Sequence, residues 1–326
     1  MLRILACALT LAGPVSAGVQ EVVTDHAMPG FQAFSRATAA LADTAAANCA
    51  PEALHDPFNA AFDAWLGVAH LQLGPTEQVT HSIAFWPDKR GFVPRTLSGL
   101  IEDRDAVAED VGAYGEVSAA ARGFFALELM LYDARYAGYE AGSYSCTLVQ
   151  TITADLTRMA TGLETAWARE FADTLLNAGG DGNAVYLSQE EAVRAIYTQL
   201  MSGLEFDAET RLARPLGTFE RPRPTWAEAW RSGRPLRNVL ISLDALHDLA
   251  AKLAGGPIPE TDAAFAAAEE VAGNIADPTF QTIDDPQERL HVEILQQRIQ
   301  AIRAAVATEI GAPLGVAAGF NSSDGD

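Results

Sequence analysis

The sequence predicts an all-α protein built as two helical, four-helix-bundle-like domains. Three observations predict it. Apolar residues recur at three- and four-residue spacing along most of the chain, the mark of amphipathic helices. No segment alternates at period two for long enough to make a strand. The helical stretches are joined largely by short turns, as in bundles. With 326 residues, 49% of them hydrophobic, the chain is long enough for two domains and apolar enough to fill their cores.

In chain order, Phe31, Phe34, Ala37, Leu41 and Ala45 place a helix before Pro51, and Leu54, Phe58, Phe62, Trp65, Leu66 and Ala69 place a second, ending at Gly74-Pro75. Residues 76–94 have no clean period. They carry Phe85-Trp86-Pro87-Asp88-Lys89-Arg90-Gly91, aromatic and charged residues in a Pro/Gly-punctuated loop, which predicts a packed functional loop. Short helices are expected over 94–103 and 106–112, then a helix over 117–133, and a long one from Cys146 to Ala178. Gly179-Gly180-Asp181-Gly182-Asn183 is the strongest break and the expected boundary between domains 18–179 and 183–326. Ser188 followed by Glu190 and Glu191 caps the next helix, to about Leu212. Residues 214–235 are irregular, and with Arg237 just beyond they gather six arginines (214, 221, 223, 231, 234 and 237) beside Trp226 and Trp230. Arginine forks suit carboxylates, phosphates or aromatic faces; for most of these six the expected role is to tie the crossover to an acidic bundle. Helices follow over about 236–254, 260–275 and 286–310, and the tail 314–326 is expected to be non-helical and packed down.

Residues 1–17 read as a secretory signal: Arg3, an apolar run from Ile4 to Ala12, and a small-residue cleavage site at Val15-Ser16-Ala17. Too few residues precede Cys7 for a lipoprotein signal. The mature chain is expected to begin near Gly18 and to be periplasmic, without a transmembrane segment. Cys49 and Cys146 then remain as an even pair in an oxidising compartment, which predicts a disulfide. A net charge of −21 opposes nucleic acid and anionic membranes as partners.

The motifs of zinc-binding His-Glu-x-x-His, the Gly-x-Ser-x-Gly elbow, a phosphate-cradling glycine loop and Cys-x-x-Cys are all absent. Glu52-x-x-His55, Asp244-x-x-His247 and Glu288-x-x-His291 place a carboxylate one turn before an imidazole, the spacing used by di-iron bundles. Three such pairs are a mild excess over the roughly one that chance supplies, and His55 sits near a helix start. The sharper feature is Gly123-Phe124-Phe125-Ala126-Leu127-Glu128-Leu129-Met130-Leu131, an apolar helix with a carboxylate on the edge of its buried face. A carboxylate there needs a donor, cation or metal, or a salt bridge to Arg122 or Arg135.

Gly123 to Glu128 resembles the Gly-x-His-x-x-Glu motif of imelysin-like proteins, with Phe125 at the histidine position. Phe85-Trp86-Pro87-Asp88, Arg221-Pro222-Arg223, Glu228 to Arg234, Leu236-Arg237-Asn238 and the ending Gly319-Phe320-Asn321 to Asp326 resemble the family in the same order. The resemblance implies an exported bacterial protein, periplasmic or outer-membrane-associated, with the motif helix near the junction of two bundles. It also implies a link to iron uptake and to cell-envelope partners, and a metallopeptidase activity proposed for the family with the motif His and Glu as metal ligands. Phenylalanine cannot ligate a metal. The expected function is therefore non-catalytic binding of a metal or metal complex, iron or another divalent ion, in the cleft between the bundles. Gly123, Glu128, Trp86, Asp88, Arg231, Ser232, Asn321 and Asp324 are expected to line it, with Glu128 as the metal-facing group. The alternatives are a metallopeptidase rebuilt from His291, Glu293 or Asp88, and an envelope interaction module.

Overall fold

The computed structural model describes residues 15–317, and every regular element among them is helical. In order these are α1 (Val15–Val22), α2 (Met28–Ala47), α3 (Pro51–Leu66), α4 (Pro75–Ile83), α5 (Phe92–Asp103), α6 (Val111–Tyr114), α7 (Gly123–Tyr132), α8 (Tyr144–Ala166), α9 (Ala172–Leu176), α10 (Gln189–Glu205), α11 (Ala213–Leu216), α12 (Pro235–Ala254), α13 (Pro259–Ala272), α14 (Pro286–Val306) and α15 (Ala312–Leu314). Single π-helical turns at Val23–Ala27, Trp167–Phe171, Phe206–Leu212 and Ala307–Gly311 join α1 to α2, α8 to α9, α10 to α11 and α14 to α15, giving four long, bulged helices. Among the described residues no helix is long and apolar enough to cross a membrane.

The helices pack in two groups. In the first, α2 lies against α3 and α8, and α7 fills the space between α3 and α8. In the second, α14 lies against α13 and α10, and α12 against α10 and α13. Helix α1, although first in the chain, packs on α10 and α12 of the second group. Its close fit shows at Gly18, where a Cβ would stand 2.5 Å from the Leu253 carbonyl oxygen. His26, just after α1, strengthens this crossing: Nδ1 lies 2.6 Å from Asp248 on α12 and Nε2 lies 2.9 Å from His70 Nε2. Burial holds His70 well below the usual imidazole range. One contiguous set of buried apolar side chains runs through both groups.

Cys49 and Cys146 form the expected disulfide, with Cα atoms 5.5 Å apart, joining the α2–α3 turn to the start of α8. Three local expectations change. Residues 76–83 belong to a helix, α4, because Gly74-Pro75 starts a helix as well as ending the previous one. The second helix stops at Leu66 rather than near Leu73, its chain turning through 67–70 before α4. The segment 117–133 is broken at Arg122, whose extended backbone separates a 3₁₀ turn at Ala119–Ala121 from α7. The signal sequence falls mostly, and Asn321 and Asp324 wholly, outside the described residues.

Candidate functional site

Helix α7 is buried on all sides: every residue from Gly123 to Leu131 is buried. Its start demands glycine. Gly123 has φ +67°, and a Cβ there would meet the Ile83 and Ser82 carbonyl oxygens at 2.1 and 2.4 Å. This contact seats α7 against the end of α4, so Gly123 positions the helix rather than lining a cavity. Phe124 stacks on Phe62 with centroids 4.4 Å apart, and Phe125 meets the same ring edge-on at 5.8 Å, which fixes the rotation of the helix.

Glu128 is only 3% exposed, not on an edge. Neither arginine named as a partner reaches it. Arg122 forks onto the fully buried Asp155 at 2.7 and 3.1 Å, and Arg135 pairs with Asp133. The partner comes from a loop about a hundred residues away. Ser232 donates its backbone N–H to Glu128 Oε1 at 3.0 Å, and its hydroxyl lies 2.9 Å from the same oxygen. Burial pushes the Glu128 carboxyl above its ordinary range, partly offset by these donors and by the nearby Arg231.

The loop that carries Ser232 is itself anchored. Glu228, buried, accepts from Arg211 Nε at 2.7 Å and from Asn238 Nδ2 at 2.9 Å. Arg231 donates Nε to Asp133 at 2.8 Å and lies over the Trp230 ring. Arg234 is 1% exposed and bridges to α3, donating to Asn59 Oδ1 at 2.6 Å and Asp63 Oδ1 at 2.5 Å, with Asn238 as its third partner. Arg237 also pairs with Asp63. Three of the six arginines therefore tie the crossover to first-group carboxylates, half of them where most were expected to.

Arg211 serves two carboxylates at once, Glu228 and Asp207. Burial pushes Asp207 up to about 6 against the pull of Arg211 and Ser242, and the adjacent Glu228 charge adds to the rise. The folded state therefore holds a proton on Asp207 that the unfolded chain has released. Stability from this group is full below about pH 4 and falls as pH rises to about 6. Denaturant midpoints measured from pH 4 to 7 are expected to show a loss on the order of 1–3 kcal/mol that flattens in Asp207→Asn. An unchanged slope in the variant would assign the loss elsewhere.

Between α7, the 85–94 loop and the 225–231 loop lies a cavity of about 390 Å³. Trp86, Asp88, Glu128 and Arg231 all line it, joined by Phe125, Arg214, Trp226 and Trp230, while Ser232 supports Glu128 from behind. Of these, Arg214, Trp226 and Trp230 were visible in the unusual 214–235 stretch, but nothing in the spacing separated them from the tying arginines. Asp88 spends its carboxylate on the start of α5, accepting backbone N–H groups from Phe92 at 2.9 Å, Val93 at 2.8 Å and Arg90 at 3.2 Å. Phe125 faces Trp86 across the cavity wall, ring centroids 6.4 Å apart and planes within 16°.

A bare divalent ion does not fit these residues. Glu128 is held by Ser232, Asp88 by three amides, and the motif histidine position carries a phenyl ring. No group of three or more His, Cys, Asp or Glu side chains among the described residues is placed to hold a metal. His55 instead bonds the Leu131 carbonyl and stacks on Tyr132, His247 pairs with Asp262, and Glu293 pairs with Arg289. His291 and Glu293 do not line the cavity.

The fold and site define an all-α protein whose buried carboxylate, motif helix and crossover loop meet at an aromatic cavity. The imelysin family model (Peptidase_M75) matches residues 27–306, and the chain belongs to that family. Among solved structures it is similar to an imelysin-like protein from Psychrobacter arcticum 273-4, with TM-score 0.79 and 17% identity over 97% of this chain and 100% of that one. It is also similar to an iron-regulated protein A precursor from Parabacteroides distasonis ATCC 8503, with TM-score 0.73 and 14% identity over 91% of this chain and 95% of that one. At these identities the likeness establishes the fold. No curated protein matches.

Proposed function

We propose that this chain is an exported, non-hydrolytic binding protein of the iron-uptake type, acting with other envelope proteins and holding an organic ligand or organic metal complex in the cavity beside Glu128. The observation that carries the reading is the cavity itself. It brings together Trp86, Glu128 and Arg231 from three separate segments, and Phe125 stands where a metal-ligating histidine would be needed. A hydrolytic zinc site needs three protein ligands and an open position, and a phenyl ring beside one hydrogen-bonded carboxylate supplies neither. An aromatic, partly enclosed cavity of this size is the ordinary form of a small-molecule site. The iron assignment draws on the name of the Parabacteroides distasonis protein, whose fold is shared. The reading of an exported chain draws on the signal-like residues 1–17 and on the disulfide.

The test is made in the source cell and on the purified protein. Under iron limitation the protein's abundance in the envelope fraction is expected to rise several-fold, and the purified protein is expected to cleave casein no faster than its chelator-treated control. Constant abundance across iron levels would remove the iron-uptake reading, and chelator-sensitive casein cleavage would restore the peptidase.

A further inference from the structure

The six crossover arginines divide into two sets. Arg231, Arg234 and Arg237 are each paired with a carboxylate. Arg214, Arg221 and Arg223 have no hydrogen bond or ion pair from their guanidinium groups among the described residues, in a chain whose net charge is −21. Arg214 Nε is buried and without a partner. Its guanidinium lies over two rings, 5.4 Å from the Trp226 centroid and 5.9 Å from that of Trp86. Arg223 lies 4.9 Å from the Trp226 centroid. Trp226 is 48% exposed, an unusual state for a tryptophan, and it lines the cavity.

Stacking on tryptophan leaves an arginine's in-plane N–H groups free, and those are the groups that fork onto a carboxylate or another oxyanion. In so acidic a protein an unpaired, partly buried guanidinium is costly unless an anion arrives to use it. The two carboxylates that line the same cavity do not fill that role. Asp88 is turned to the α5 amides, and Glu128 is turned to Ser232. Five aromatic side chains, Phe85, Trp86, Phe125, Trp226 and Trp230, also line it, with aliphatic residues such as Val93 and Leu129 between them. Such walls favour a flat π-system, and about 390 Å³ is at the small end of ligand cavities, room for one or two rings rather than a large macrocycle.

We propose that the cavity binds a planar aromatic acid, with the acidic group forked by Arg214 at the mouth and the ring system held among Trp86, Phe125, Trp226 and Trp230. This rests on reading the cavity as the ligand site and names the chemistry of the organic ligand. Neutral aromatics gain the walls but leave Arg214 unpaired. Aliphatic acids gain Arg214 but leave the walls uncovered. A bare cation meets Arg214, Arg231 and Lys89 around the same space.

The experiment uses two probes with the same rings, 1-naphthoate and the neutral 1-naphthalenemethanol, titrated into the purified protein by calorimetry and by quenching of tryptophan fluorescence. On the wild type, naphthoate is expected to bind about tenfold more tightly than the alcohol, the worth of one charge-assisted fork. Arg214→Gln is expected to bring the ratio to about one, while Arg221→Gln leaves the ratio as in the wild type. Should Arg214→Gln fail to fold, the wild-type ratio is read against salt: it is expected to shrink between roughly 50 and 500 mM. Equal affinities on the wild type, a ratio that survives Arg214→Gln in the folded variant, or a ratio indifferent to salt would each overturn the aromatic-acid assignment while leaving a ligand cavity. If neither probe binds, the assignment and the reading of the cavity as a ligand site fall together. Neither outcome bears on the response to iron limitation, which tests the iron reading alone.

Discussion

Removing the Cys49–Cys146 disulfide, as Cys49→Ala/Cys146→Ala or by reduction, is expected to lower the unfolding free energy by about 4–5 kcal/mol, the loop-closure entropy of a cross-link that spans nearly a hundred residues. The bridge closes a loop of sequence separation 97, which contains α3 to α7 and therefore the whole motif helix. In the unfolded chain it forbids the many conformations in which α3 and α8 are far apart. Both bridged cysteines are buried. Urea titrations of oxidised and reduced protein measure the effect. A loss below about 1 kcal/mol would mean that the denatured state keeps the two ends together without the bridge.

Arg234→Met is expected to cost about 3–5 kcal/mol, the penalty for removing one partner from a buried ionic network. Methionine keeps the length and packing of the stem over Phe62 but leaves Asn59, Asn238 and Asp63 without the donor that joins them. Arg237→Met, three residues away on the same carboxylate, is expected to cost less than about 1 kcal/mol, because that side chain is 56% exposed. Measured together, the two variants separate a structural strap between α3 and α12 from a surface ion pair. Equal losses would show that Asp63, rather than the buried guanidinium, holds the strap. Because Arg234 lies two residues after Ser232, the costly variant is also expected to loosen the Glu128 contact, and with it the cavity wall.

Much of this was legible in residues taken alone. The stripes Phe31-Phe34-Leu41 and Leu54-Phe58-Phe62-Trp65 repeat at the helical period, and in the structure they are buried. Phe125 could be singled out as the residue that removes a metal ligand, because identity at a position is a statement about chemistry; that the motif helix starts only at Gly123 was not legible. The end of the α3 region and the helical nature of 76–83 were less legible. Gly-Pro punctuation marks a break without saying whether a helix follows it at once. The carboxylate-imidazole pairs at 52/55, 244/247 and 288/291 satisfied a spacing rule, yet His55 bonds the Leu131 carbonyl and His247 pairs with Asp262 on another helix rather than with the acid one turn before it. Spacing places two side chains on one helix face. It does not say which way that face is turned.

The fate of Glu128 shows where the division lies. The sequence by itself determined that a carboxylate sits in an apolar helix, that it must have a partner, and that the partner is not a histidine four residues or fewer away. Only the tertiary structure decided that the partner is Ser232, that Arg122 and Arg135 are committed elsewhere, and that Arg214 remains unpaired beside two tryptophans. The physical reason is range. Helical periodicity and residue chemistry are local and survive in a one-dimensional string, whereas the pairing of charges across about a hundred residues depends on which faces the packed helices bring together.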